Sequence, residues 1–128
     1  MNILPDTHVL LWAALSPERL STIAAQILAD PDNAPHFSPI SLWEIVIKND
    51  LGRADFSVDA ALLRRGLLEN GYTELLVTSS HVLAVGRLPS LHKDPFDRLL
   101  IAQAGTEGFT LLTADTTLAD YGSPALHV

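Results

Sequence analysis

The sequence predicts an α/β domain built on a mainly parallel sheet with helices on both faces. Three observations lead there. Short apolar runs at 2–5, 34–37, 74–77 and 109–113 alternate along the chain with longer stretches of helical period. Such alternation places each pair of strands on either side of a crossover helix and covers both faces of the sheet. At 128 residues and 48% hydrophobic content, one domain can bury a sizeable core, and residues 1–128 read as a single unit without repeat, linker or low-complexity segment.

Taken in order, residues 2–5 form a first strand that ends at Asp6-Thr7-His8, although Pro5 lacks a ladder donor. A buried helix follows over 8–15, then a break at Ser16-Pro17-Glu18, then a helix over 22–29 capped by Ser21. The second strand, 34–37, runs into two possible helix openings. If Ser41 is the cap, Ser41-x-x-Glu44 is a capping box; if Ser38 is the cap with Pro39 first in the helix, Glu44 lies too deep to cap and needs another partner. This helix runs to Asn49 and closes at Leu51-Gly52-Arg53. The amphipathic stretch 59–70, with Ser57 as a possible cap, ends at Gly71. A third strand is expected over 74–77 and a short helix from Ser79 or Ser80 to Val85. Asp94 then caps a helix with Pro95 first and Asp97 in its first turn, ending near Gly105 or Gly108. A fourth strand over 109–113 leads to Ala114-Asp115, a helical turn is expected at 118–121, and 125–128 reads as a fifth, edge strand.

Composition sets bounds on function. There is no cysteine, which excludes disulfides, thiolate nucleophiles and zinc-thiolate sites. No apolar run reaches the ~18 residues needed to span a bilayer, and Met1-Asn2-Ile3 does not open like a signal peptide, so a cytoplasmic protein is expected. The net charge of −7, from eight Lys and Arg against fifteen Asp and Glu, argues against nucleic-acid binding by phosphate neutralisation alone. A cluster of acids that collects divalent cations reconciles an acidic protein with an anionic partner.

Four acids carry that possibility. Asp6 and Asp115 each follow the carboxyl end of a predicted strand, where open parallel sheets bind ligands. Glu44 and Asp97 stand in early helical turns. Each has a structural explanation as a cap or, for Glu44, as the partner of Lys48 four residues on. Taken together, four carboxylates on one rim would repel one another unless a cation were present, and oxygen-only donors suit Mg²⁺ or Mn²⁺. The neighbours are read more plainly. Asp94 is a cap with an outer-shell role as the alternative, and Thr7 and Thr113 close turns or orient water. His8 and His92 are structural, without a catalytic role. Arg98 either meets a phosphate or is a solvated or ion-paired helix-end residue. Lys48, Arg53, Arg64 and Arg65 form a basic track or a solvated face. Trp12, Trp43 and Phe96 are core or interface residues and not base-stacking platforms.

Four segments in order, Asp6-Thr7-His8-Val9-Leu10-Leu11-Trp12, Ser41-Leu42-Trp43-Glu44-Ile45, Asp94-Pro95-Phe96-Asp97-Arg98 and Leu112-Thr113-Ala114-Asp115, are similar to those of a known family. Across essentially its whole length the chain resembles the PIN-domain ribonucleases, in particular the VapC toxins of VapBC toxin–antitoxin modules. The resemblance implies a three-layer α/β/α sandwich with strand order 3-2-1-4-5. It also implies a Mg²⁺- or Mn²⁺-dependent endoribonuclease whose catalytic and metal-binding residues are Asp6, Glu44, Asp97 and Asp115. RNA is the implied substrate, and a VapB-type antitoxin the implied protein partner. A homodimer is expected, joined with antitoxin into a heterotetramer or larger assembly. Pro5 departs from the family's usual apolar residue before the first aspartate, which puts local strand pairing in question. The competing reading is a catalytically silent PIN-fold binding module whose acids serve only as caps. A receiver domain is excluded because no aspartate stands in 74–78 and no lysine follows Lys93. A haloacid-dehalogenase-like phosphatase is excluded because Asp6-Thr7-His8 is not Asp-x-Asp.

Overall fold

Five short strands alternate with seven helices in the computed structural model, which describes residues 1–52 and 56–128. The strands are β1 (Asn2–Pro5), β2 (Ala34–Phe37), β3 (Thr73–Glu74), β4 (Thr110–Thr113) and β5 (Ala125–His127). The helices are α1 (Thr7–Leu15), α2 (Thr22–Ala29), α3 (Pro39–Asp50), α4 (Ala60–Glu69), α5 (Ser79–Val85), α6 (Pro95–Glu107) and α7 (Thr116–Ala119). The sheet order is β3-β2-β1-β4-β5, as the family resemblance implies, and every pairing is parallel where the sequence predicts a mainly parallel sheet. Strand order reverses between β1 and β4, so the crevice at the carboxyl ends of those two strands is where a ligand site is expected.

Consecutive strand residues send their side chains to opposite faces, and each face closes a separate core. Leu4 and Leu111 pack with Ile40, Leu100, Ile101 and Ala104 of α3 and α6, whereas Ile3 and Leu112 pack with Val9 of α1 and residues of α2. Leu10, Phe37, Ile45, Leu63 and Leu67 join α1, α3 and α4 in a third cluster. Pro5 does not break the ladder. Its register partner is Leu112, and the next donor towards β4 is the Asp6 N–H, 2.8 Å from the Leu112 carbonyl; by strand alternation the donor that proline lacks faces the other way.

Several boundaries differ from expectation. Ser38, not Ser41, caps α3: its hydroxyl accepts from the Ile40 N–H at 3.1 Å with Pro39 next in the chain, so there is no Ser41–Glu44 capping box. Asp59, not Ser57, caps α4 through the Leu62 N–H at 3.0 Å. β3 is shorter than 74–77 and starts at Thr73. One further bond, Leu75 N–H to the Phe37 carbonyl, ends its pairing because β2 gives way to the cap of α3, and the Leu75 carbonyl accepts instead from the buried Gln103 side chain at 2.9 Å. α6 runs through Gly105 to end at Gly108, which takes a left-handed φ of 72° that favours glycine. α7 starts at Thr116, two residues before the expected turn, because Asp115 caps it. Arg53 lies outside the described residues. Among those that are described, no helix is long and apolar enough to cross a membrane.

Candidate metal centre

Backbone amides hold two of the four acids directly, Asp6 and Asp115. Asp6 follows β1 and caps α1, accepting from the Val9 N–H at 2.9 Å. Asp115 follows β4 and caps α7, its Oδ1 accepting from Thr117 at 2.8 Å and Leu118 at 3.3 Å. Asp94 caps α6 through the amides of Phe96 and Asp97, at 2.8 and 3.1 Å, and so fixes the turn that carries Asp97. Glu44 sits in the second turn of α3, too deep to cap. A hydroxyl bond between Thr7 and Ser41, 3.0 Å and buried, draws the start of α1 against the helix that carries Glu44.

The acids fall into two grades of exposure. Asp6 and Glu44 are each 3% exposed, whereas the side chains of Asp97 and Asp115 are 17% and 40% exposed. The tightest grouping of possible ligand atoms among the described residues is His92, Asp97 and Asp115, all within 4.8 Å of one another. Asp6 and Glu44 lie outside that trio, but both act on Asp97 electrostatically.

Burial pushes the Asp97 carboxyl up to about 7; repulsion from Asp94, Asp6 and Glu44 adds to this, and His92 opposes it. Burial likewise raises Asp6, against hydrogen bonds from Thr113 and the Val9 amide. For Asp115, slight burial pushes upward but is outweighed by the hydrogen bond from His92 and by the Leu118 and Thr117 amides, so the net shift is downward. Lys48 Nζ lies 2.7 Å from Glu44 Oε2, while Glu44 Oε1 is buried with no hydrogen-bond partner. A buried, unsatisfied carboxylate oxygen beside a carboxyl pushed far above its ordinary range is what an oxygen-ligated divalent cation relieves. The residues present therefore fit Mg²⁺ or Mn²⁺.

The neighbours resolve differently from some expectations. Arg98 is bound within the protein and not a freely solvated helix-end residue: its guanidinium donates to the carbonyls of Val85, Pro89 and His92 and to the Tyr121 hydroxyl, at 3.0–3.4 Å. Lys48 is paired with Glu44 and Arg64 with Glu74, so neither lies free in a basic track. Thr113 closes a turn by accepting from the Asp115 N–H at 3.0 Å, and Thr7 is tied to Ser41. Trp43 is 55% exposed, so it is not a core residue, and it meets Phe96 edge-on at 4.8 Å. His92, read from the sequence as structural, stands with its ring between two of the acids. A lone histidine just before a helix cap carries no signal by itself, and only the fold brings it between Asp97 and Asp115.

Comparison with known proteins bears on the fold and the family. The PIN-domain family model matches residues 3–123. The chain is 30% identical over 123 residues to ribonuclease VapC22 of Mycobacterium tuberculosis, covering 96% of this chain and 94% of that protein. Solved structures that share the fold include two from toxin–antitoxin pairs. VapBC2 of Rickettsia felis, bound to a DNA fragment from its promoter, aligns with a TM-score of 0.70 at 16% identity, covering 100% of this chain and 98% of that one. VapBC-1 of nontypeable Haemophilus influenzae aligns with a TM-score of 0.68 at 18% identity, covering 100% and 97%. With the family model spanning nearly its whole length and a VapC relative at this identity, the chain belongs to the PIN-domain family, in its VapC branch.

Proposed function

We propose that this chain is a Mg²⁺- or Mn²⁺-dependent endoribonuclease that hydrolyses RNA phosphodiester bonds, and that it is the toxin of a type II toxin–antitoxin pair. The observation that carries the metal reading is the buried, unsatisfied Glu44 Oε1 together with the strongly raised Asp97 carboxyl. The ribonuclease name of the 30%-identical relative supports the reaction class.

Asp6 and Asp97 would hold the cation, with Glu44 and Asp115 acting directly or through water. When bound, such an ion lowers the pKa of water and neutralises charge developing at phosphorus. The protein's own residues do the rest. The caps of α1 and α7 hold the carboxylates of Asp6 and Asp115 by backbone amides, the Asp94 cap of α6 fixes the turn that carries Asp97, and the Thr7–Ser41 bond ties α1 to the helix that carries Glu44. With Lys48 paired to Glu44, substrate binding at the site would depend chiefly on the cation, which reconciles a nuclease with net charge −7.

A VapB-type antitoxin segment would lie in an apolar groove. An apolar cavity of about 510 Å³ lies between α1 and α4, lined by Ala14, Leu15, Leu62, Leu63, Leu67 and Tyr72. Leu15 and Val58 also border a second cavity that reaches Lys48, the residue resting on Glu44. An apolar antitoxin segment laid along this groove would therefore end at the acids. The structural neighbours that are VapBC complexes support this partner. A homodimer, through exposed Val82 and Leu83 of α5, completes the proposed assembly, and light scattering of the purified chain checks it.

The test is RNA cleavage by the purified protein with Mg²⁺ or Mn²⁺, compared with Asp6→Asn and Asp97→Asn. Loss of cleavage in both variants with folding retained supports the enzyme. Unchanged cleavage rejects the site, and no cleavage by the intact chain on any RNA favours the silent binding module.

A further inference from the structure

His92 stands between two of the proposed ligands, and its hydrogen bonds decide what it can do there. The Asp94 backbone N–H donates to His92 Nδ1 at 3.1 Å. The Nδ1 lone pair is thus engaged, and the ring proton sits on Nε2. That N–H donates to Asp115 Oδ2 at 3.3 Å, and Asp97 Oδ2 lies 3.2 Å from the same nitrogen. To ligate a metal through Nε2, the ring would have to move its proton to Nδ1, where it would meet the Asp94 N–H head-on. The trio within 4.8 Å is therefore two carboxylates and a donor, not three ligands.

The ring is also held from behind. The His92 N–H donates to the Tyr121 hydroxyl at 3.2 Å, and Arg98 Nη1 reaches both that hydroxyl at 3.0 Å and the His92 carbonyl at 3.4 Å. Arg98 follows Asp97 in α6, and Asp94 caps the same helix, so the helix that carries one acid also fixes the histidine. Asp115 has the most to gain. It is the most exposed of the four acids, and with Oδ1 spent on the α7 amides, its Oδ2 is steadied by His92. The fold uses the same device once more: Thr78 N–H donates to His81 Nδ1 at 3.0 Å, and His81 Nε2 meets Glu107 Oε1 at 2.7 Å, tying α5 to α6.

We propose that His92 is a positioning residue that uses its Nε2–H to hold the Asp115 carboxylate beside that of Asp97, and that it is not itself a metal ligand. The inference rests on the metal reading given under Proposed function. Two measurements test it together. In protein carrying nitrogen-15 histidine, the ring spectrum of His92 should show a pyridine-type Nδ1 and a pyrrole-type Nε2, with and without Mg²⁺. A pyridine-type Nε2 in either state overturns the proposal.

The second measurement is Mn²⁺ affinity, read from free Mn²⁺ by electron paramagnetic resonance. His92→Ala should weaken binding about tenfold or more, as loss of a ligand-orienting partner does, while His92→Gln, which offers an amide N–H at similar reach, should stay within about threefold of the parent. Equal loss in both variants, or no loss in His92→Ala, overturns the positioning role. Should His92→Ala fail to fold, the ring spectrum of the unaltered protein and the Gln variant still decide. If the unaltered protein binds no Mn²⁺, the metal reading itself fails and takes this inference with it; a failure confined to the variants sinks the inference alone.

Discussion

Asp97 concentrates the electrostatic cost of the site. Its carboxyl is ordinary in the unfolded chain but pushed up to about 7 in the folded one, chiefly by burial. Between those two values the folded state binds more protons than the unfolded state, so stability of the metal-free protein falls as pH rises through that window. Asp6, also raised, acts in the same sense; Asp115, lowered, acts in the opposite sense and loses its contribution only in acid. The metal-free protein should therefore melt several degrees lower at about pH 8 than at about pH 5.5, given that ~1 kcal/mol moves the midpoint of a domain this size by roughly 3–6 °C. Asp97→Asn should flatten that dependence and raise the melting temperature above neutrality while removing at least about 10²-fold of cleavage, a gain in stability at the expense of function. Calorimetry across pH and a cleavage assay check the two halves; a variant no more stable than the parent at high pH contradicts the electrostatic account. At this scale the acids were legible as candidates: Asp6 and Asp115 follow strand ends, and Asp97 and Glu44 stand in early turns of helices whose openings local sequence marks. The unsatisfied oxygen of Glu44 and the role of His92 were not, since both arise from residues brought together across the fold.

Helix α6 is the element whose construction matters most to the site. Asp94 accepts from two first-turn amides, and one of them belongs to Asp97 itself. Replacing it with Ala should cost about 0.5–2 kcal/mol of stability and lower cleavage by misplacing Asp97. Asp94→Ser should restore most of both, since a hydroxyl caps as well as a carboxylate; if Ser restores stability but not cleavage, the carboxylate acts on the cation and not only on the helix. At the other end, Gly108 holds a φ of 72°, so Gly108→Ala should destabilise by about 1 kcal/mol without affecting cleavage per folded molecule, as urea titration and the assay would report. Both ends of α6 were readable because caps and terminal glycines are local signals. The short β3 was not, because its end depends on β2 stopping at Ser38 and on Gln103 capturing the Leu75 carbonyl from another element.

For the whole molecule, the parallel order β3-β2-β1-β4-β5 sets β1 beside β4, and so the strand ends followed by Asp6 and Asp115 side by side. Alternation of strands and helices announced the layers, but the order of strands came from family resemblance, since five short strands permit several arrangements. The central claim, that these carboxylates form a cation site under electrostatic strain, makes one prediction that nothing else in the fold produces. Binding of Mg²⁺ should expel the proton that Asp97 retains near neutrality. Isothermal titration of the purified protein with Mg²⁺ at about pH 7, in buffers of differing ionisation enthalpy, should show release of about half a proton per ion from Asp97, vanishing by about pH 9 and diminished in Asp97→Asn. No binding, or binding of the same strength and proton count in Asp97→Asn, would contradict the account.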